Sequence, residues 1–176
     1  MDGQPVQQGR GSGLVRGGIS VLTTALAWAG LSAWLAYDGL EPSGPGLFEH
    51  QYQVQSFLLP PVLLTCWLIF AGLLWKVFGA RSLATSKGEW LEGLGGIFGN
   101  GYFLCWVLPD LLVYGLGGHD LLKVVAPFLP LITTGFICGL SVQYVRRRVP
   151  VERWKAVGWV IAAWVAQAIP LLVLVR

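Results

Sequence analysis

The chain has 176 residues, of which 55% are hydrophobic and only 12% charged, with a formal net charge of +3. Soluble domains carry about 25% charged residues, so the composition excludes an ordinary water-soluble globular domain. The apolar residues fall in long runs bounded by charge, and a run of about 18 or more reads as a membrane span.

In chain order, the N-terminal "MDGQPVQQGRGSG" is rich in Gly and Gln, so residues 1–18 are expected to form a disordered or loosely ordered cytoplasmic tail. Five apolar runs follow and predict an all-α fold, a polytopic membrane protein with a bundle of five transmembrane helices over residues 19–176. The first run covers residues 19–37, "ISVLTTALAWAGLSAWLAY". Its apolar part is too long for a signal peptide and no small-residue cleavage site follows it, so it is read as a span. The second covers 54–77 and the third 94–117, "LGGIFGNGYFLCWVLPDLLVYGLG"; the fourth covers 122–144 and the fifth 157–175. At 1.5 Å per residue, about 20 residues cross a hydrocarbon core of about 30 Å, so each run is long enough. Nine Trp and five Tyr suit an interfacial belt, with Trp75, Trp90 and Trp154 near one set of helix ends and Tyr37 and Tyr114 near the other. Trp28, Trp67, Trp106 and Trp164 sit deeper in the runs.

Basic residues divide unevenly between the two sides. Arg10 and Arg16 precede the first run, and Lys76, Arg81 and Lys87 lie between the second and third. Arg146, Arg147, Arg148, Arg153 and Lys155 lie between the fourth and fifth, leaving only Lys123 and Arg176 for the opposite side. The positive-inside rule puts the N-terminus in the cytoplasm and the C-terminus outside. The cluster in "RRRVPVERWK" sets topology and attracts anionic lipid headgroups, at about 1 kcal/mol per basic residue near the surface. The Ala/Gly/Leu/Val/Arg/Trp-rich usage suggests a bacterial inner membrane.

Signatures of chemistry are few. His50 and His119 both lie in or beside the outer loops, so no haem or chlorophyll held by an intramembrane His is expected. Cys66, Cys105 and Cys138 each fall in a different run without CxxC spacing, and read as packing residues. No GxSxG, P-loop or HExxH occurs, so no catalytic, cofactor-binding or metal site is expected. The glycines of "GLGGIFGNG" open a span and follow no strand. Gly95 and Gly99, like Gly135 and Gly139 in the fourth run, are one helical turn apart and offer strips where another helix can approach. The third and fourth runs are expected to be antiparallel neighbours, with these strips facing one another or a partner chain. Asp110 follows Pro109 within the third run, where a carboxylate costs about 2.5–3.5 kcal/mol at mid-span. It reaches the outer interface, caps a helix restarted after Pro109, or, with Asn100 and Gln167, forms an intramembrane polar site.

The layout resembles the Yip1 family of integral membrane proteins. The resemblance lies in "LLWKVFGARSLATSKGEWLEGLGGIFGNGYFLCWVLPD", where Gly101, Tyr102 and Pro109 match the family's Gly-Tyr and Pro-containing span. It lies also in "RRRVPVERWKAVGWVIAAWV", where Lys155 and Ala156 match the entry to its last span. The resemblance implies a helical bundle and a non-catalytic scaffold or partner-binding role. The alternatives are an accessory subunit of a larger respiratory, photosynthetic or transport complex, or a small oligomeric transporter or channel. The expected partners are the bilayer and other membrane subunits or a second copy, with no nucleic acid.

Overall fold

A computed structural model describes residues 12–40, 50–79 and 85–175, with side-chain surroundings to residue 170. The first eleven residues of the expected tail, Arg10, Arg81, Arg176 and most of the first outer loop lie outside the described residues. Every element among those described is helical. In order they are α1 (Ser12–Tyr37), α2 (Gln51–Phe78), α3 (Lys87–Tyr102), a π-helical turn (Phe103–Val107), α4 (Leu108–Val125), a 3-10 turn (Ala126–Phe128), α5 (Leu129–Arg148) and α6 (Arg153–Val175). Three continuous helical runs, Ser12–Tyr37, Gln51–Phe78 and Lys87–Arg148, are long and apolar enough to cross a membrane.

Local chemistry sets the helix ends. The "SKGE" stretch makes a capping box at the start of α3: Glu89 N–H donates to Ser86 Oγ at 3.2 Å, and Ser86 N–H donates to Glu89 Oε2 at 3.0 Å. Pro150 ends α5, whose C-cap Val149 is already extended, and α6 restarts at Arg153. The run Lys87–Arg148 is not one rod. Gly118 adopts φ 69°, ψ −168°, a conformation that suits glycine and breaks the helix. Beyond it the chain doubles back, so the Tyr144 hydroxyl donates to the Glu89 carbonyl at 2.9 Å and Ile137 packs on Gly101. The α3 and α5 arms are therefore antiparallel neighbours.

The helices close a ring in the order α1, α2, α6, α5, α3, each touching the next, and α3 returns to α1. The interior is aromatic. Phe70, Phe98, Tyr102 and Trp67 are buried, with Phe98–Tyr102 ring centres 4.9 Å apart and Tyr102–Trp164 5.9 Å apart. In a bilayer, lipid tails would be as apolar as these side chains, and close packing and dispersion would have to hold the ring together.

The structure corrects three expectations. Residues 12–18 are not tail: α1 begins at Ser12, because Gly13 and Gly17 lie directly against Gly88 and Leu91 of α3. Trp90, expected to face an interfacial belt, turns inward instead and is fully buried between Trp75 and Tyr144. The glycine strips of α3 and α5 do not meet. A Cβ on Gly95 would lie 2.6 Å from Gly17 Cα, and one on Gly99 would lie 2.6 Å from Ser20 Oγ, so the α3 strip faces α1. Gly135 and Gly139 have no atom within 4 Å of an added Cβ. The α1–α3 contact runs Gly13 to Gly88, Gly17 to Gly95 and Ser20 to Gly99, so the two helices are parallel. The Thr24 hydroxyl crosses this seam to donate to the Gly99 carbonyl at 3.0 Å.

Candidate functional site

Helix α4 is the least enclosed of the α-helices, burying only Asp110 and Leu122. It stands at the end of the bundle where α1 finishes and α2 begins. Pro109 shapes the approach: it lacks an N–H and its ring crowds the carbonyl four residues earlier. The helix absorbs this as the π-helical turn just before α4, where Leu108 N–H bonds to the Phe103 carbonyl. Such single π-turns concentrate at functional sites. Here the turn sets Trp106 and Asp110 on the wall of one cleft of about 330 Å³, together with Trp28, Ser32, Tyr52 and Gln55. His119 and Lys123 complete it from beyond the Gly118 break. That volume falls at the lower end of the about 300–1,000 Å³ typical of small-molecule sites.

The cleft sets several polar groups into largely apolar walls. Asp110 is only 9% exposed, and its Oδ1 is buried without a hydrogen-bond partner among the described residues. The Trp106 indole interacts with the carboxyl group. The Ser32 hydroxyl donates to Gln55 Oε1 at 3.3 Å, tying α1 to α2 beside it. Trp28 and Trp106 lie 4.9 Å apart between centres, tilted by 39°, and form one aromatic wall. Lys123 has its ammonium 3.9 Å from Asp120, and no ion pair joins it to Asp110. Partial burial first, and then the Lys123 charge, push the His119 pKa below its usual value, while Asp120 opposes this. His119 is therefore neutral near pH 7.

The three residues expected to form one polar site are not brought together. Asn100 is exposed on the outside of α3. Gln167 is fully buried in α6 near the Tyr102 hydroxyl, in a geometry that leaves both of its polar atoms without a proper hydrogen bond. Asp110 alone reaches a cavity. Ser32, Tyr52 and Gln55 were not singled out by sequence, and Trp106 was read only as a tryptophan deep in its run; the available signal was a polar residue in each of two apolar runs, at the same end. Gly13 and Gly17 were missed as well, although "GSGLVRG" spaces them one turn apart.

The basic cluster lies at the opposite end from the cleft. Arg146, Arg147, Arg153 and Lys155 are exposed, and Lys155 pairs with Glu152 at 3.0 Å. Arg148 lies over the Tyr144 ring at 3.7 Å. Arg146 and Arg153 head a groove between α5 and α6 whose apolar walls include Gly139, Val142 and Val160. His50 and His119 lie at helix ends, and no group of three or more His, Cys, Asp or Glu suited to a metal occurs among the described residues. Comparison with protein-family models, curated proteins and solved structures finds no match for this chain.

Proposed function

We propose that this is an integral membrane protein of five spans, N-terminus cytoplasmic and C-terminus outside, that binds a small ligand in a cleft at its outer end without catalysing a reaction on it. The observation that carries the reading is Asp110: a carboxyl group nine-tenths buried, with an unpartnered oxygen, on the wall of a cavity of ligand size. A buried polar group without a partner costs about 1–3 kcal/mol, more if charged, which a ligand that satisfies it recovers. The fold-back at Gly118 supports two passes from the run Lys87–Arg148. The basic residues crowded at one end support the orientation, in a bacterial inner membrane.

Thermal unfolding in mild detergent against a panel of small polar and charged solutes tests the binding. A ligand at 100 times its Kd stabilises the folded state by about 2.7 kcal/mol. At least one solute should protect the wild type and fail to protect Ala126→Trp, which fills the cleft. Protection of neither protein, or equal protection of both, sinks the reading. For the topology, a reporter that works only in the cytoplasm, fused to the C-terminus, should be inactive.

A second reading, a scaffold or accessory subunit resembling the Yip1 family, is favoured by one observation. Gly135 and Gly139 present a small-residue strip on α5 that no described residue covers. Disulfide cross-linking of Gly139→Cys to a second copy or to another subunit in native membranes tests it, and absence of any cross-linked product counts against it.

A further inference from the structure

The cleft holds two kinds of surface, and together they select a ligand. One is the buried carboxyl of Asp110, the only acidic side chain on its walls among the described residues. The other is aromatic: Trp28 and Trp106, 4.9 Å apart, with Tyr52 also on the walls. The face of an aromatic ring carries negative potential and attracts cations, Trp most strongly. Gln55 adds a carboxamide, and Ser32 holds its oxygen in place at 3.3 Å. Among the described residues no cation pairs with Asp110: the Lys123 ammonium lies by Asp120, and partial burial and the Lys123 charge disfavour the charged form of His119. An anionic ligand would be repelled by Asp110. A neutral one could donate a hydrogen bond to the carboxyl group but would bring no counter-charge to it in a largely apolar surrounding.

The geometry points to a ligand bearing a positively charged nitrogen, an amine or quaternary ammonium, seated between Asp110 and the Trp28–Trp106 wall. This rests on the reading of the cleft as a binding site. The carboxylate supplies the counter-charge and the rings supply a desolvated face for the methyl or methylene groups around the nitrogen. Lys123 at the rim opposes entry of a cation, so its removal strengthens binding and removal of Asp110 weakens it.

The test places a thiol in the cleft as Ala126→Cys, in the full chain in membrane vesicles. Its modification is followed with two membrane-impermeant methanethiosulfonates, one carrying trimethylammonium and one sulfonate, against the parent protein as baseline. The ratio of cationic to anionic rates should fall about tenfold when Asp110→Asn is added, the order by which a charged cleft enriches its counter-ion. The ratio should rise with Lys123→Gln, which leaves Asp110 intact and so serves as the control if Asp110→Asn folds poorly. Choline should slow the modification, and its uncharged isostere 3,3-dimethylbutan-1-ol should not. If neither reagent modifies the thiol, the cleft is closed to water and the binding reading itself falls. If the thiol is modified but the ratio ignores both charge changes, or both solutes protect equally, the cleft stands and the ammonium assignment is overturned.

Discussion

Substituting alanine at Gly95 should separate two helices that now touch backbone to backbone. The new Cβ would lie 2.6 Å from Gly17 Cα and 2.8 Å from the Gly17 carbonyl oxygen. Carbon atoms prefer about 3.5–4.0 Å, so α1 and α3 must part by about an ångström. Neither clashing atom belongs to a flexible side chain, so nothing local can give way. Overpacking of this kind costs about 1–3 kcal/mol. The separation also stretches the Thr24 hydrogen bond to the Gly99 carbonyl, a cross-helix bond worth about 0.6 kcal/mol in membrane bundles. A loss of about 2–3 kcal/mol is therefore expected for Gly95→Ala. Gly139→Ala, which meets nothing within 4 Å, should be neutral or gain up to about 1 kcal/mol from helix propensity. Reversible unfolding in mixed micelles of increasing SDS fraction, followed by circular dichroism, measures both. Gly17→Ala with Gly95→Ala should cost less than the sum of the two, because the first separation relieves the second clash. Equal costs at Gly95 and Gly139, or strict additivity of Gly17 with Gly95, would refute the parallel α1–α3 seam.

Three further outcomes are expected. Ser86→Ala removes the capping box of α3 and should cost about 1 kcal/mol in the same unfolding assay, with Ser86→Gly costing less. Gln167→Leu replaces a fully buried carboxamide that lacks proper partners by an apolar group of similar size, and should be neutral or stabilise the bundle by about 1 kcal/mol; a loss above about 2 kcal/mol would mean that Tyr102 holds Gln167 more firmly than its geometry suggests. Arg146→Gln with Arg153→Gln removes both charges heading the α5–α6 groove, and should weaken retention of anionic phospholipid by about 2 kcal/mol, read by native mass spectrometry of retained lipid.

The sequence by itself determined what is local. Runs of apolar residues dictate helices because backbone groups in lipid must be satisfied within the segment. The Ser86–Glu89 spacing dictates where α3 starts, and Pro109 and Gly118 dictate where its continuation loosens and breaks. Asp110 stood out as the residue costly to bury, and Gly95 and Gly99 as a strip able to touch another helix. Only the tertiary structure decided which faces meet. A helix in lipid is apolar on nearly all sides, so its pattern does not tell its inner face from its outer one. The sequence offered Gly95 and Gly99 the fourth run or a partner chain as neighbours, but the rotation of α3 gave them to α1, leaving Gly135 and Gly139 outside. The same rotation put Asn100 on the surface and Asp110 inside, although the two are close in sequence. The cleft joins Ser32 of α1, Gln55 of α2 and Asp110 of α4, and no single segment contains the information that these helix ends converge, because that follows from packing between segments far apart in the chain.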